Sequence, residues 1–151
     1  MTPAPLVTDM ARSTPTLLID INVVLDVVLA REEWLPESAA LLDVVAAGNA
    51  RGFVAGHTIT TIHYITARAN GRSAAASAVS DLLDICSVVP METADFQRVL
   101  SMDLSDFEDA VPASAALRVG ADYIVSRNER DFKGVAIPVR SPAALLPLLR
   151  R

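Results

Sequence analysis

Little in this sequence supports covalent cross-linking or membrane insertion. The 151 residues include a single cysteine, Cys86, so no internal disulfide can form. No apolar run approaches the roughly 20 residues that a membrane span requires. The segment Met1–Pro15 also lacks the continuous apolar stretch of a secretory signal. We therefore expect a cytoplasmic protein without a membrane association, in which residues 1–14 form a flexible leader and residues 15–151 form one domain.

Basic residues are scarce as well. Lysine and arginine total 13 against 18 aspartates and glutamates, which gives a formal net charge of −5, and Lys133 is the only lysine. A protein that binds nucleic acid by broad neutralisation of phosphates would be basic. Any nucleic-acid chemistry must therefore be local, with clustered acids that collect cations and a few arginines that contact phosphates.

The apolar residues follow a strand-and-helix alternation along the whole chain. Hydrophobic residues make up 52% of the sequence, which excludes a generally disordered chain. Short apolar runs predict strands at 16–19, 53–55, 87–89, 122–125 and 135–139. Longer amphipathic runs predict helices after Asn22, from Pro36 to Gly48, at 58–69, 73–83 and 94–102, from Asp106 to Gly120, and at 142–149. This order predicts an α/β fold: a three-layer α/β/α sandwich with a central, mostly parallel sheet.

Acidic and polar side chains follow the predicted strands or begin a predicted helix. Asp20 ends the first strand, Asp109 lies in the first turn of a helix, and Ser126, Asn128 and Asp131 follow the fourth strand. Ligands of open parallel sheets bind beyond the carboxyl ends of the strands. Carboxylates crowded at that edge select Mg²⁺ or Mn²⁺, which can activate water for phosphodiester hydrolysis. A single Asp after a strand is more often a turn residue, so the prediction depends on three segments converging.

Three motifs in register resemble one family. Asp20–Asp26 resembles the opening D-x-N-V-x-x-D motif of PIN-domain proteins. Asp106–Ala110 resembles their D-F-E-D-A segment, and Gly120–Phe132 their G-A-D-Y-I-V-T-R-N-x-x-D-F strand and loop. The order and spacing agree from about Thr16 to Leu149, in a PIN_3-like subgroup.

The resemblance implies an activity, a cofactor and partners. Such proteins are Mg²⁺- or Mn²⁺-dependent endoribonucleases that act on RNA. Many bacterial members are VapC-like toxins of toxin–antitoxin pairs, which a small antitoxin protein neutralises and which assemble as homodimers. We expect the same of this chain.

The resemblance also assigns site residues by position. Asp20 matches the first acidic metal ligand and Asp109 the third. Asn128 stands where many members have a fourth aspartate, and Asp131 is the nearest carboxylate available as a metal ligand. Two further residues match polar groups that orient the acids or the attacking water, namely Ser126 and Asn22.

The second acidic position departs from the family pattern. Many PIN nucleases have a glutamate in the helix after the second strand, where this chain has Thr61. A hydroxyl carries no charge and is a poorer ligand for a hard divalent ion. Either Glu108, Asp26 or water completes the metal shell, or metal binding is weak and activity is reduced.

Other functions fit the same residues less well. The main alternative is a non-catalytic PIN-like module that binds RNA or a protein partner. A phosphoacceptor receiver domain would need an acid at the end of a central strand and a late lysine after another strand, and neither is placed correctly here. A haloacid-dehalogenase-like phosphatase needs a second aspartate where this chain has Asn22.

Overall fold

The computed structural model describes residues 14–102 and 106–149, except for the side chain of Glu108. The leader predicted over residues 1–14 lies outside this range apart from Thr14. The described residues form five strands: β1 (Thr16–Ile19), β2 (Arg51–Val54), β3 (Cys86–Val88), β4 (Tyr123–Val125) and β5 (Val139–Arg140). They also form a 3₁₀ turn (Glu129–Phe132) and seven α-helices: α1 (Ile21–Val28), α2 (Leu35–Ala46), α3 (Gly56–Asn70), α4 (Arg72–Ile85), α5 (Thr93–Ser101), α6 (Phe107–Val119) and α7 (Pro142–Leu149).

The strands form one parallel sheet in the order β3-β2-β1-β4-β5. In the register of the central strands, Leu18 pairs with Phe53 of β2 and with Ile124 of β4. The chain builds the sheet outward from β1 to β3 and then returns to the other side of β1 with β4. The strand order therefore reverses between β1 and β4, which is where open α/β sheets bind their ligands.

Helices cover both faces of the sheet, which confirms the predicted three-layer α/β/α sandwich. Successive side chains of a strand point to opposite faces. Leu17 and Ile19 accordingly join a core with α1, α2, α3, α4 and α7, whereas Leu18 joins a second core with α5 and α6. Within the described ranges, no helix has the length and apolar character that a membrane span requires.

Most predicted boundaries lie within two residues of the observed ones, and two of the differences have a structural consequence. Helix α1 begins at Ile21 with Asp20 at the N-cap position, so Asn22 lies inside the helix and does not cap it. The last strand is shorter than the predicted range 135–139, because only Val139 and Arg140 pair with β4. Proline has no N–H to donate to a ladder, so Pro138 contributes only its carbonyl oxygen, which accepts a hydrogen bond from Ile124 N at 2.9 Å.

Candidate functional site

The carboxyl ends of β1 and β4 bring Asp20 and Ser126 into contact. Asp20 continues the ladder beyond β1, because its N–H donates to Val125 O at 2.9 Å. The Ser126 hydroxyl, fully buried, donates to Asp20 Oδ2 at 3.2 Å. Asn128 N in turn donates to Ser126 Oγ at 3.1 Å. Three residues predicted for the site therefore form one chain of hydrogen bonds at the point where the strand order reverses.

The Asp20 carboxyl is buried, with 8% of its surface exposed. Burial raises its pKa above the usual 3.8, because a charged carboxylate loses water there. Hydrogen bonds from Ser126 and from the backbone of Asn22 and Ile21 lower the pKa and oppose that effect only in part. A cation beside the carboxylate would restore its charged form.

Helix α6 carries Asp109 to the same edge of the sheet. The C-terminal end of α6 lies at the opposite edge, where Ala121 N bonds to Ala116 O and Asp122 N bonds to Thr16 O at the start of β1. The helix packs on β1 and β4 through the core that contains Leu18. Its first turn, with the half-buried Asp109, therefore lies toward the carboxyl ends of those strands.

Asp131 lies on the 3₁₀ turn that follows β4. Its N–H donates to Asn128 O at 3.1 Å, and its side chain is exposed, as is that of Asn128. Across the part of the chain that the structure describes, no three His, Cys, Asp or Glu side chains form a group that could hold a metal ion. The role of Asp131 as a third carboxylate ligand therefore stays a prediction.

Asp26 does not supply the missing ligand, contrary to one of the alternatives drawn from the sequence. The residue is fully buried. The Arg127 guanidinium donates to both of its oxygens, from Nε to Oδ2 at 3.0 Å and from Nη2 to Oδ1 at 2.9 Å. Ser38 Oγ donates to Oδ2 at 2.9 Å. A carboxylate saturated in this way serves a buried ion pair and is not available to a metal.

Sequence reasoning missed Arg127, the residue between Ser126 and Asn128. Its guanidinium forms two hydrogen bonds to Asp26 and also lies 3.7 Å from the centroid of the Trp34 ring. The only sequence signal was that Asp26 lies one helical turn after Asn22. That spacing places the side chains of Asn22 and Asp26 on one face of α1 but does not identify Arg127 as the partner of Asp26.

Thr61, at the position of the expected glutamate, lines a cavity of about 520 Å³. The cavity lies between α3 and the first turns of α6, which contribute Phe107 and Val111. Its described lining is mostly apolar and contains no carboxylate; besides these three residues, it comprises Gly56, His57, Val89, Met91 and Phe96. The side chain of Glu108, the other alternative, lies outside the described atoms.

Comparison with known proteins gives one family and one fold. A family model described as PIN domain matches residues 16–130. No curated protein matches the sequence. Among solved structures, a chain in the crystal structure of VapBC2 from Rickettsia felis, bound to a DNA fragment from their promoter, is similar with a TM-score of 0.63. The identity is 12%, and the match covers 83% of this chain and 97% of that chain, so the likeness shows a shared fold.

Proposed function

The chain belongs to the PIN-domain family, and we propose that it is a Mg²⁺- or Mn²⁺-dependent endoribonuclease that hydrolyses RNA phosphodiesters. The proposal rests above all on the contact between Ser126 and the buried Asp20 at the reversal point of the sheet. Asp109 approaches the same edge on the first turn of α6. A local acidic site also agrees with the net charge of −5, which argues against binding RNA by a broad basic surface.

The donor set at this edge fits a hard divalent ion. Mg²⁺ is commonly bound through one or two carboxylates, with waters in its remaining positions. Asp20 and Asp109 would be those carboxylates, and Asp131 would be a further one. When bound, such an ion polarises a phosphoryl group and favours attack by water at neutral pH.

The polar neighbours of Asp20 would keep its carboxylate in one orientation. The Ser126 O–H donates to Oδ2 and holds that oxygen in place. The Asn128 N–H fixes the Ser126 hydroxyl by donating to it. The backbone and the side chain of Asn22 also lower the pKa of the Asp20 carboxyl and so favour its charged form. These contacts would preorganise the ligand, so the site needs little rearrangement when metal and RNA arrive.

We extend the proposal to a VapC-like toxin held in check by a small antitoxin protein. The VapBC2 neighbour supports this, since its title names a two-component assembly on promoter DNA. A groove of about 370 Å³ between α1 and α4 could seat an apolar segment of such a partner. Its apolar lining includes Val24, Val27, Val28, Leu42 and Leu82. An arginine of the partner would pair with the carboxylates at the sheet edge.

We also propose that the protein is a homodimer. Two large apolar side chains are strongly exposed, Tyr64 on α3 at 61% and Leu100 on α5 at 75%. Burying them against a second copy would remove apolar surface from water. Light scattering on the purified protein tests this directly, and a monomer at tens of micromolar would contradict it.

Cleavage of RNA with matched aspartate variants tests the nuclease proposal. Wild-type protein is incubated with single-stranded and hairpin RNAs in Mn²⁺, in Mg²⁺ and in EDTA. Asp20→Asn and Asp109→Asn should each lower the rate by about 100-fold or more, as loss of a charge-stabilising group typically does. The control is Asp84→Asn, an exposed aspartate of α4, and it should cleave like wild type. Cleavage that persists in both site variants would refute the proposed site.

A non-catalytic module is the second candidate, favoured by the apolar cavity at Thr61 and by the lack of a three-acid group among the described residues. Such a module would bind RNA or a protein without cleaving RNA. RNA retention in a filter-binding assay, with no cleavage in Mn²⁺ and no measurable Mn²⁺ binding, would select it over the nuclease.

A further inference from the structure

Asp26 lies close to the candidate site, and several side chains form hydrogen bonds to its carboxylate. It is fully buried in α1, and its partners are Arg127, Ser38 and, at 3.5 Å, Arg31. Burying a charge is costly unless it is paired and hydrogen bonded. For Asp26, two guanidinium groups and a hydroxyl meet that requirement.

One set of contacts leads from Asp26 to Asp20 through Arg31 and Asn22. Arg31 Nη1 donates to Asp26 Oδ1 and also to Asn22 Oδ1, the latter at 3.2 Å. The Asn22 oxygen accepts from Arg31, so its NH₂ group is the part left to interact with the Asp20 carboxyl, whose pKa the Asn22 side chain lowers. Asp26 is thereby linked to the Asn22 amide through Arg31.

A second set of contacts reaches the same carboxylate through Arg127 and Ser126. The two bonds from Arg127 to Asp26, together with the packing on Trp34, hold the loop after β4 in place. The neighbouring Ser126 donates to Asp20 Oδ2 at 3.2 Å. The two routes from Asp26 therefore reach the surroundings of Asp20, one at Asn22, two positions further along the chain, and the other at Ser126, which bonds to the carboxylate.

We propose that Asp26 is a positioning residue of the site, which holds Asn22 and Ser126 so that Asp20 presents its carboxylate to a divalent cation. The proposal rests on the proposed function for the identity of the bound ion. Residues that hydrogen bond to metal ligands and orient them contribute to metal affinity, as the ligands themselves do.

A second buried aspartate in the same chain provides a matched comparison. Asp95 is also fully buried, and it pairs with Arg118 at 2.9 Å and with Arg98 at 3.3 Å. Its further contacts join α5 to α6 through Ser114 and do not lead to Asp20. Both aspartates are buried and paired with arginines. A difference in metal affinity between their asparagine variants would therefore reflect where each residue lies and not a general loss of stability.

Mn²⁺ affinity of Asp26→Asn and Asp95→Asn tests the proposal, measured by the electron paramagnetic resonance signal of free Mn²⁺ alongside the melting temperature. We expect Asp26→Asn to weaken Mn²⁺ binding by about 10- to 100-fold, the usual effect of removing such an outer partner. Asp95→Asn should retain wild-type affinity even where it lowers the melting temperature as much. Excess Mn²⁺ should restore cleavage by Asp26→Asn, which a purely structural defect would not allow.

Arg127→Lys covers the case in which Asp26→Asn does not fold. Lysine keeps a cation beside Asp26 but cannot form both bonds, so Mn²⁺ binding should weaken while the fold is retained. Wild-type Mn²⁺ affinity in the folded Asp26→Asn or Arg127→Lys protein would overturn the proposal, as would a wild-type protein that binds no Mn²⁺. Mn²⁺ binding by wild type without RNA cleavage would refute the nuclease alone and leave the role of Asp26 standing.

Discussion

Ser126 Oγ lies 3.2 Å from Asp20 Oδ2, although the two residues are 106 positions apart in the sequence. Parallel pairing of β1 with β4 creates this contact, because Ile19 and Val125 are partners in the register and the next residue of each strand lies beside the other. The hydroxyl stabilises the charged form of a carboxylate that burial destabilises. The balance of these two effects determines how readily Asp20 can bind a cation.

Ser126→Ala should shift metal binding to higher pH. Removing the hydroxyl raises the pKa of Asp20 further, because the hydrogen bond from Ser126 lowers it. A carboxylate must be deprotonated to bind a metal, so the midpoint of Mn²⁺ binding against pH should rise in the variant. Titrations between about pH 4 and 7 measure it. Ser80→Ala, at an exposed position of α4, serves as the control, and an equal shift in both variants would refute the explanation.

Asp20→Asn should stabilise the metal-free protein near neutral pH. The pKa of Asp20 is raised in the folded state, so the folded protein binds this proton more tightly than the unfolded chain does. The contribution of Asp20 protonation to the free energy of unfolding is therefore fully present below the unfolded pKa of about 3.8. It is lost as the pH rises through the pKa that Asp20 has in the folded protein. Asparagine does not ionise and avoids that loss.

The measurement is thermal unfolding in EDTA, from a pH below the unfolded pKa of Asp20 up to pH 7. The melting temperature of Asp20→Asn should exceed that of wild type at pH 7, and the difference should vanish as pH falls below the unfolded pKa. Asp84→Asn, with its exposed side chain, should show no such trend. A lower melting temperature for Asp20→Asn at pH 7 would contradict the prediction.

Thr61→Glu should strengthen metal binding, because it restores a carboxylate at the second acidic position of the family. Thr61 lines the cavity beside Phe107 at the start of α6, where space for the longer side chain exists. We expect Mn²⁺ affinity to rise about tenfold, equivalent to about 1.4 kcal/mol. His63→Glu adds a carboxylate at an exposed position on the same helix and should leave the affinity unchanged. Equal affinities for Thr61→Glu and wild type would place the site elsewhere.

Gly52→Ala should destabilise the fold, because β2 passes close to its neighbours at this residue. A Cβ there would lie 2.8 Å from Val45 Cγ1, 2.9 Å from Cys86 Sγ and 3.2 Å from Ile19 Cδ1. Overpacking of this kind costs about 1–3 kcal/mol, which urea unfolding can measure. Gly56→Ala is the control, since its nearest contact would be an ordinary 3.8 Å from Val88 Cγ1. A change below about 0.5 kcal/mol in Gly52→Ala would show that the core adapts.

The sequence by itself determined the fold class and the edge of the sheet at which the polar residues gather. The local pattern is enough to predict strand β1, a short apolar run, and helix α5, whose apolar residues recur at helical spacing. The ending of β1 at Asp20 and of β4 before Ser126 follows from the same patterns. The carboxyl-end rule then places both residues at one edge without further information.

Only the tertiary structure decided what the individual side chains do at that edge. Asp26 was open to interpretation as a metal ligand, and the fold shows it buried against Arg127, a residue 101 positions away. Thr61 lines an apolar cavity. Periodicity reports which face of an element a residue occupies, whereas hydrogen-bond partners depend on how distant elements pack. The sequence could therefore locate Asp20, but only the packed structure identifies the residues that orient it.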